Sequence, residues 1–486
     1  MLESRFQPVL LLPDWLSLLV VLSVLVGLLA GVSRLHQQQR LSAEACRKFI
    51  HVGMGLVTLC FPWLFSSSTP VWLLGGLSTT LLIIARVYKP FKEKLGPALH
   101  GVGRSSWGEV YFPAAVALLF QWSHGDPLRY GIPILILTLA DALAALVGVR
   151  YGRTRYSTSN GFKSLEGSLA FFIVAFLCTA TALMAGSTVA LPTDFPSVLG
   201  VAVVMGLLLM LLEAIAVVGL DNVVIPIASF LALERLFQLP EHLLLFRAVL
   251  LSGISVAVVL LHHRLGLKDT ALIAVGLLLY GALLWGGPLW LVPLLLLLLR
   301  YSLTLPQRLA QLQPEREFGL RAVLTIGVGC GIWLWAASHS LNGKYFYPFC
   351  ISVAAHSAII GVSSQLAAQK IPNWPHPKLL AVALGTATLD SLLMVALPAL
   401  WLGNYERAYW PILSGWIAPT PVFCIVRLVF HCLIGWILTT AAVMIFLQTQ
   451  KQLQQYANSP VRWIQRGLLV FLLSATGLLV FWKVPS

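Results

Sequence analysis

Long apolar runs broken by short polar punctuation recur along almost the whole of this 486-residue chain. Runs of spanning length occupy 16–33, 71–87, 131–149, 168–190, 198–218, 243–261, 379–402 and 422–447, and about 20 apolar residues in a helix cross the hydrocarbon core of a bilayer. Shorter runs between them span only when tilted or broken, which brings the expected total to roughly 14 to 16 transmembrane helices. The pattern therefore predicts an all-α polytopic integral membrane protein. The texture changes near residue 262, so the expected organisation is an N-terminal signal-anchor helix over 1–39, one domain over 40–261 and a second transmembrane domain over 262–486. The linker 261–269 leaves no room for a flexible hinge, and the two halves are expected to pack directly. The first run lacks a basic flank beyond Arg5 and is followed by basic residues, which makes it an anchor that stays rather than a cleaved signal.

Composition agrees with this pattern. Hydrophobic residues make up 58% and charged residues only 10%, against about a quarter charged in soluble domains. The formal net charge of +14 would suggest nucleic acid in a soluble protein, but here the cations sit in short loops, where orientation in the membrane explains them. Nucleic acid is excluded as a partner. Lys and Arg number four in 34–48, five in 86–104, four in 150–163 and two in 264–268, against none in 66–70 and 186–197 and one each in 121–130 and 234–242. That alternation predicts an external amino terminus and cytoplasmic basic loops. Of the seven cysteines only Cys46 falls outside an expected span, and the chain has no CxxC pair, so small core residues are the reading.

The acids are then informative. The chain has 18 Asp and Glu, and Glu109, Asp141, Glu166, Glu213 and Asp221 all map to the cytoplasmic ends or the inner half of spans. An isolated acid within a span costs about 3 kcal/mol on insertion scales, so each needs a partner or a task. Asp141, Ala145, Gly148 and Gly152 share a helical face of small residues. Arg150, Arg153, Arg155 and Lys163 follow, then Glu166 in "KSLEGS". Cations and glycines beside carboxylates suit a metal-bound polyphosphate, since cations and backbone N–H groups neutralise phosphate while carboxylate oxygens hold Mg²⁺. The structural alternative is that the cations set topology and the glycines pack helices. Three further stretches favour the chemical reading: "GVGRSSWGEVYFP" over 101–113, with Arg104 and Glu109; "EAIAVVGLDN" over 213–222; and "RKFIH" over 47–51, with Arg47 and His51 on one helix face.

Together these four stretches resemble the polyprenol kinase family of integral-membrane, CTP-dependent lipid kinases, most closely its phytol kinase branch. The resemblance covers about residues 40–235, in the family's order, and the 141–168 block with its KSLEGS ending is the specific part. It implies transfer of a phosphoryl group from CTP or UTP to a prenyl alcohol such as phytol, with Mg²⁺. Asp141 and Glu166 would be Mg²⁺ ligands; Arg104, Arg153 and Lys163, with Gly148 and Gly152, would hold the triphosphate; Asp221 or Glu213 would act as base or second metal ligand, and His51 would orient the hydroxyl. It further implies a multi-pass protein of a plasma or thylakoid-type membrane with its site on the cytoplasmic side, a role in tocopherol or chlorophyll supply, and a phytyl-phosphate kinase acting downstream. Val217 and Val218 depart from the more polar pair expected before GLDN.

The second half resembles, more faintly, the phytyl-phosphate kinase family over about residues 265–480, in pattern and order alone. Where that family carries an acidic Asp-Thr-Trp type motif, this chain reads His356, Ser357, Ala358. Past residue 270 only Glu315, Glu317, Asp390 and Glu406 remain; Glu315 and Glu317 read as a solvated loop with Arg308, Arg316 and Arg321, which leaves Asp390 as the one acid deep in a span. The expectation is a degenerate half serving as scaffold, lipid corridor or partner surface. A CTP-dependent phospholipid cytidylyltransferase and a polytopic transporter are the rival readings. Acids gathered on one side and halves that do not repeat each other count against the transporter.

Overall fold

The computed structural model describes residues 12–87, 107–158, 161–186, 194–216, 219–261, 269–304, 320–338, 345–367, 377–396, 421–454 and 460–483. The protein is an all-α polytopic membrane protein. Among the described residues, nine helices are long and apolar enough to cross a membrane, and four shorter apolar helices accompany them. The chain divides into two compact units, Met1–Ala257 and Val258–Ser486.

The first unit contains α1 (Asp14–Gln37), α2 (Ala43–Leu59), α3 (Ser68–Val87), α4 (Gly108–Trp122), α5 (Pro127–Tyr151), a hairpin of β1 (Arg155–Thr158) and β2 (Gly161–Ser164), α6 (Leu165–Ala185), α7 (Phe195–Ile215), α8 (Asp221–Leu236) and all but the last turn of α9 (Glu241–Leu261). Helices α2, α4 and α8 have only 17, 15 and 16 residues. Charged inner ends on α2 and α8 make them weak as apolar runs, and run length alone therefore passes over α2 as a span. Cys46, expected outside the spans, is accordingly a buried residue of α2.

Local chemistry starts these helices where they start. Ser42 caps α2 by accepting from Ala45 N, Asp126 caps α5 by accepting from Leu128 N and Arg129 N, Ser164 caps α6 by accepting from Gly167 N, and Asp194 caps α7 by accepting from Ser197 N. Each side-chain oxygen satisfies N–H groups that a helix start leaves without an internal partner. Helix α5 is not uniform. Pro133 lies inside it, and Ile136–Ala140 form a wide π turn ending at Asp141. Such turns insert a residue into the helical ladder, rotate the residues beyond it, and recur at functional sites.

The two ends of this unit have different polar ties. At one end Asp14 accepts from Ser66 N at 2.9 Å, Trp72 Nε1 donates to Gln121 Oε1 at 2.7 Å, and Arg129 Nε meets Glu234 Oε1 at 2.7 Å. At the other lie the tips of α2, α5 and α7, the hairpin and the start of α8. The alternating direction of successive helices thus gathers the acids singled out in the sequence at one end.

In the second unit, α10 (Asp269–Gly286) ends in a π turn, and Gly287 at φ +88° reverses the chain into α11 (Leu291–Thr304). That positive φ strains any residue with a Cβ, so the Gly-Gly-Pro punctuation does divide one apolar stretch into two helices. Helices α12 (Leu320–Ser338), α13 (Phe346–Ala367), α14 (Pro377–Ala396), α15 (Pro421–Gln454) and α16 (Pro460–Lys483) complete the unit, and α13 is the buried centre, touched by α11, α12, α14, α15 and α16. Asp390 of α14 is fully buried; its Oδ1 lies 3.0 Å from Arg300 Nε of α11 and accepts from Ser357 Oγ at 2.9 Å. His356 is buried on the same α13. Glu315, Glu317, Arg308, Arg316 and Glu406 lie outside the described residues.

Candidate active site

Asp141 opens the last part of α5, immediately after the π turn, and α2 supplies its partners. Lys48 Nζ lies 2.8 Å from Asp141 Oδ2, and both side chains are largely shielded, at 11% and 18% exposure. His51, one turn further along α2, stands 3.7 Å from the same oxygen. Its Nε2 lies 3.1 Å from the carbonyl of Leu137, an acceptor that requires the proton on Nε2. The imidazole thus pins the π turn to α2 while it faces the carboxylate. Close contact makes this possible: Gly55 of α2 sits against Thr138, whose side chain a Cβ at Gly55 would strike.

The hairpin builds the second half of the site. Tyr156 pairs with Lys163 across the strands, so both project from one face, and Ser157 pairs with Phe162 on the other. Lys163 Nζ reaches α7, where it lies 2.6 Å from Glu213 Oε1 and also donates to the Glu213 carbonyl. Tyr156 Oη shares a hydrogen bond of 2.8 Å with Ser168 Oγ at the start of α6. Phe162, on the opposite face, is 72% exposed.

Asp221 opens α8 and completes the constellation. Its Oδ1 accepts from Asn222 N at 2.9 Å, and among the described residues it has no ion-pair partner. It stands within electrostatic reach of Asp141, Lys163 and His51, and Glu213 within reach of Asp141 and Asp221. Three carboxylates and two lysines from α2, α5, β2, α7 and α8 therefore share one polar site at the membrane-spanning helix ends, and His51 borders it.

Other expected residues have different surroundings. Glu166, the expected metal ligand beside Asp141, accepts from the backbone N of Thr154, at 3.0 and 3.3 Å, and thereby ties the foot of the hairpin to α6. Glu213 and Asp221 lie within electrostatic reach of Asp141. Gly148 and Gly152 are expected at a triphosphate, but the space where their side chains would lie holds Ser164 and the Gly148 carbonyl, with Gly167 close by. Both glycines allow the close approach of α5 to α6. Arg153 is exposed beside the hairpin, and Arg104 lies outside the described residues, as do Val217 and Val218. Glu109 pairs with Arg86 at 3.1 Å, and that guanidinium lies over the Trp107 ring at 4.2 Å.

The partner that sequence reasoning left without a task is Lys48. Its signal was the spacing of Lys48 and His51 at i, i+3 on one helix face; nothing in the sequence tied that face to Asp141, 93 residues on.

Among the described residues, no group of three or more His, Cys, Asp or Glu stands ready to hold a metal ion by itself. A closed metal cage is not what Mg²⁺ needs, however. It keeps several waters and binds through one or two carboxylates together with substrate phosphates. The donor set of Asp141, Glu213 and Asp221, with lysines interleaved, fits a cation that arrives with a polyphosphate.

A phytol kinase of Synechocystis sp. is 31% identical to this chain over 225 residues, which is 45% of this chain and 91% of that protein. No family model and no solved structure matches the chain.

Proposed function

The chain belongs to the phytol kinase family, and from that premise we propose that it transfers the terminal phosphoryl group of CTP to a prenyl alcohol, phytol foremost, at the Asp141 site. The observation that carries this reading is the meeting of Asp141, Glu213 and Asp221 with Lys48 and Lys163 at one end of a membrane-spanning unit. Phosphoryl transfer asks a protein mainly for positioning and for neutralisation of charge, and alternating acids and lysines supply both. The alcohol's chain stays among the lipid-facing helices while its hydroxyl reaches the polar helix ends, on the cytoplasmic side by the distribution of basic loops.

The hydroxyl oxygen attacks the terminal phosphorus, the bond from that phosphorus to the bridging oxygen breaks, and cytidine diphosphate leaves. Asp221, which has no ion-pair partner among the described residues, takes the hydroxyl proton. Lys48 and Lys163 neutralise phosphate oxygens, with Arg153 and Arg104 as further cations. Asp141 and Glu213 are the residues that would hold Mg²⁺, which supplies charge neutralisation on the phosphates. His51 orients Asp141 and the π turn rather than the substrate.

The test is purified protein with Mg²⁺ and CTP labelled either at the γ or the α phosphorus, offered phytol, geranylgeraniol, farnesol and dolichol in turn. Label from the γ position in a lipid monophosphate supports the reading. Label from the α position in lipid would mark a cytidylyltransferase, and no labelled lipid with any alcohol would reject the kinase.

A further inference from the structure

The two partly buried ion pairs are built for exchange: we propose that Lys48 and Lys163 are resident counter-cations that hold Asp141 and Glu213 until a divalent cation and a polyphosphate enter together. The inference rests on the kinase reading for the identity of the polyphosphate, and on geometry for the rest. Each carboxylate that would hold a cation is already met by a lysine, at 2.8 Å and 2.6 Å. The third acid, Asp221, has none among the described residues. Lysine is suited to exchange because its ammonium is a point charge on a flexible stem, able to move to a phosphate oxygen a few ångströms away without losing its backbone position. A bare carboxylate pair would repel itself in a shielded site, and a bare lysine pair would do the same, so the interleaved arrangement neutralises Asp141 and Glu213 in the ligand-free state.

Binding is affected in two ways. A divalent cation alone competes with lysines that have nowhere else to go, so it binds weakly. A polyphosphate alone must pull the lysines off and leave two carboxylates facing it. Only both together let every charge find an opposite partner, so each should strengthen the other's binding, and by the same factor. Lys48 and Lys163 thus set the order of assembly and keep a metal from occupying the site without its phosphate.

The experiment uses the full chain in detergent with no alcohol present, so no turnover enters the readout. Mn²⁺ binding is followed by its electron paramagnetic resonance signal, and thermal unfolding is followed in parallel, with and without CTP. The unaltered protein should bind Mn²⁺ at least ten-fold tighter with CTP than without, and Mg²⁺ alone should leave its melting temperature unchanged. Lys48→Met should bind Mn²⁺ without CTP at least ten-fold tighter than the parent, and Mg²⁺ alone should raise its melting temperature, because the metal replaces the missing ammonium on Asp141. Unchanged Mn²⁺ affinity in Lys48→Met would overturn the proposal and leave Lys48 a structural counter-ion. Should Lys48→Met fail to fold even with Mg²⁺, Lys48→Arg decides: a guanidinium grips the carboxylate through two hydrogen bonds and releases it less readily, so Mn²⁺ binding with CTP should weaken ten-fold or more. Parent-like binding in that variant overturns the idea. Failure of these binding tests would leave the kinase reading standing, since that is judged by labelled lipid alone.

Discussion

Asp141 is the residue on which most of the site's contacts converge, from Lys48, His51 and the π turn that precedes it. Asp141→Asn should lower phosphoryl transfer by at least about 100-fold, the scale of a lost electrostatic group. It should also destabilise the protein, because Lys48 would be left shielded and unpaired, at a cost of about 3 kcal/mol. Steady-state assay and thermal unfolding separate the two effects: Lys48→Met with Asp141→Asn should recover much of the stability and none of the activity. Activity within a few-fold of the parent in Asp141→Asn would remove that residue from the site. Gly152 shows the packing side of the same region. A Cβ there would run into the Gly148 carbonyl and Ser164, groups that cannot easily move, so Gly152→Ala should cost about 1–3 kcal/mol. Gly27→Ala, with nothing near the new methyl, should leave the melting temperature where it is or raise it slightly.

At the scale of elements, the hairpin is what the glycine-punctuated basic loop becomes, and its alternation separates two faces. Lys163 and Tyr156 face α6 and α7 while Phe162 faces away. Lys163→Ala should raise KM for CTP with the KM for the alcohol little changed, because one of several phosphate cations is lost. Tyr156→Phe, which removes the hydroxyl bonded to Ser168, should shift KM for CTP in the same direction by less. Phe162→Ala should leave KM for CTP unchanged. Kinetics in which Phe162→Ala resembles Lys163→Ala would show that the faces are not separated as described.

For the whole molecule, the direction of the helices decides whether the acids can act together. Single cysteines placed in a cysteine-free background at Asn222 and Ser157 should label from the cytoplasmic side, and one at Ser67 from the opposite side. Labelling of Asn222 from outside would place Asp221 across the membrane from its proposed role. Among the described residues the second unit buries one acid, and Asp390 is already matched by Arg300 and Ser357. That matching is a structural explanation for an acid at such depth. The full chain is therefore expected to make a lipid monophosphate and no diphosphate from prenyl alcohol and CTP, and Asp390→Asn should lower thermal stability. Thin-layer separation that shows diphosphate, lost in Asp390→Asn, would make the second unit a working kinase.

Much of this was legible in the chain itself. Apolar run length determined the membrane-spanning class, because the bilayer admits only helices or closed barrels whose backbone bonds are met internally. The distribution of Lys and Arg, together with the parity of the spans, determined that Asp141, Glu166, Glu213 and Asp221 lie toward one end. The Gly-Gly-Pro break between α10 and α11 was readable for the same local reason. Tertiary structure decided which acid meets which cation. Lys48 and Asp141 are 93 residues apart and Lys163 and Glu213 are 50 apart. Helical periodicity gives the face a residue occupies, but not the neighbour that face meets. The π turn changes even that, since one inserted residue rotates Asp141 relative to the helix before it. Tertiary packing also brought Glu166 to the Thr154 amide and Gly148 and Gly152 to Ser164 and α6, neighbours that a glycine or an acid does not announce in sequence.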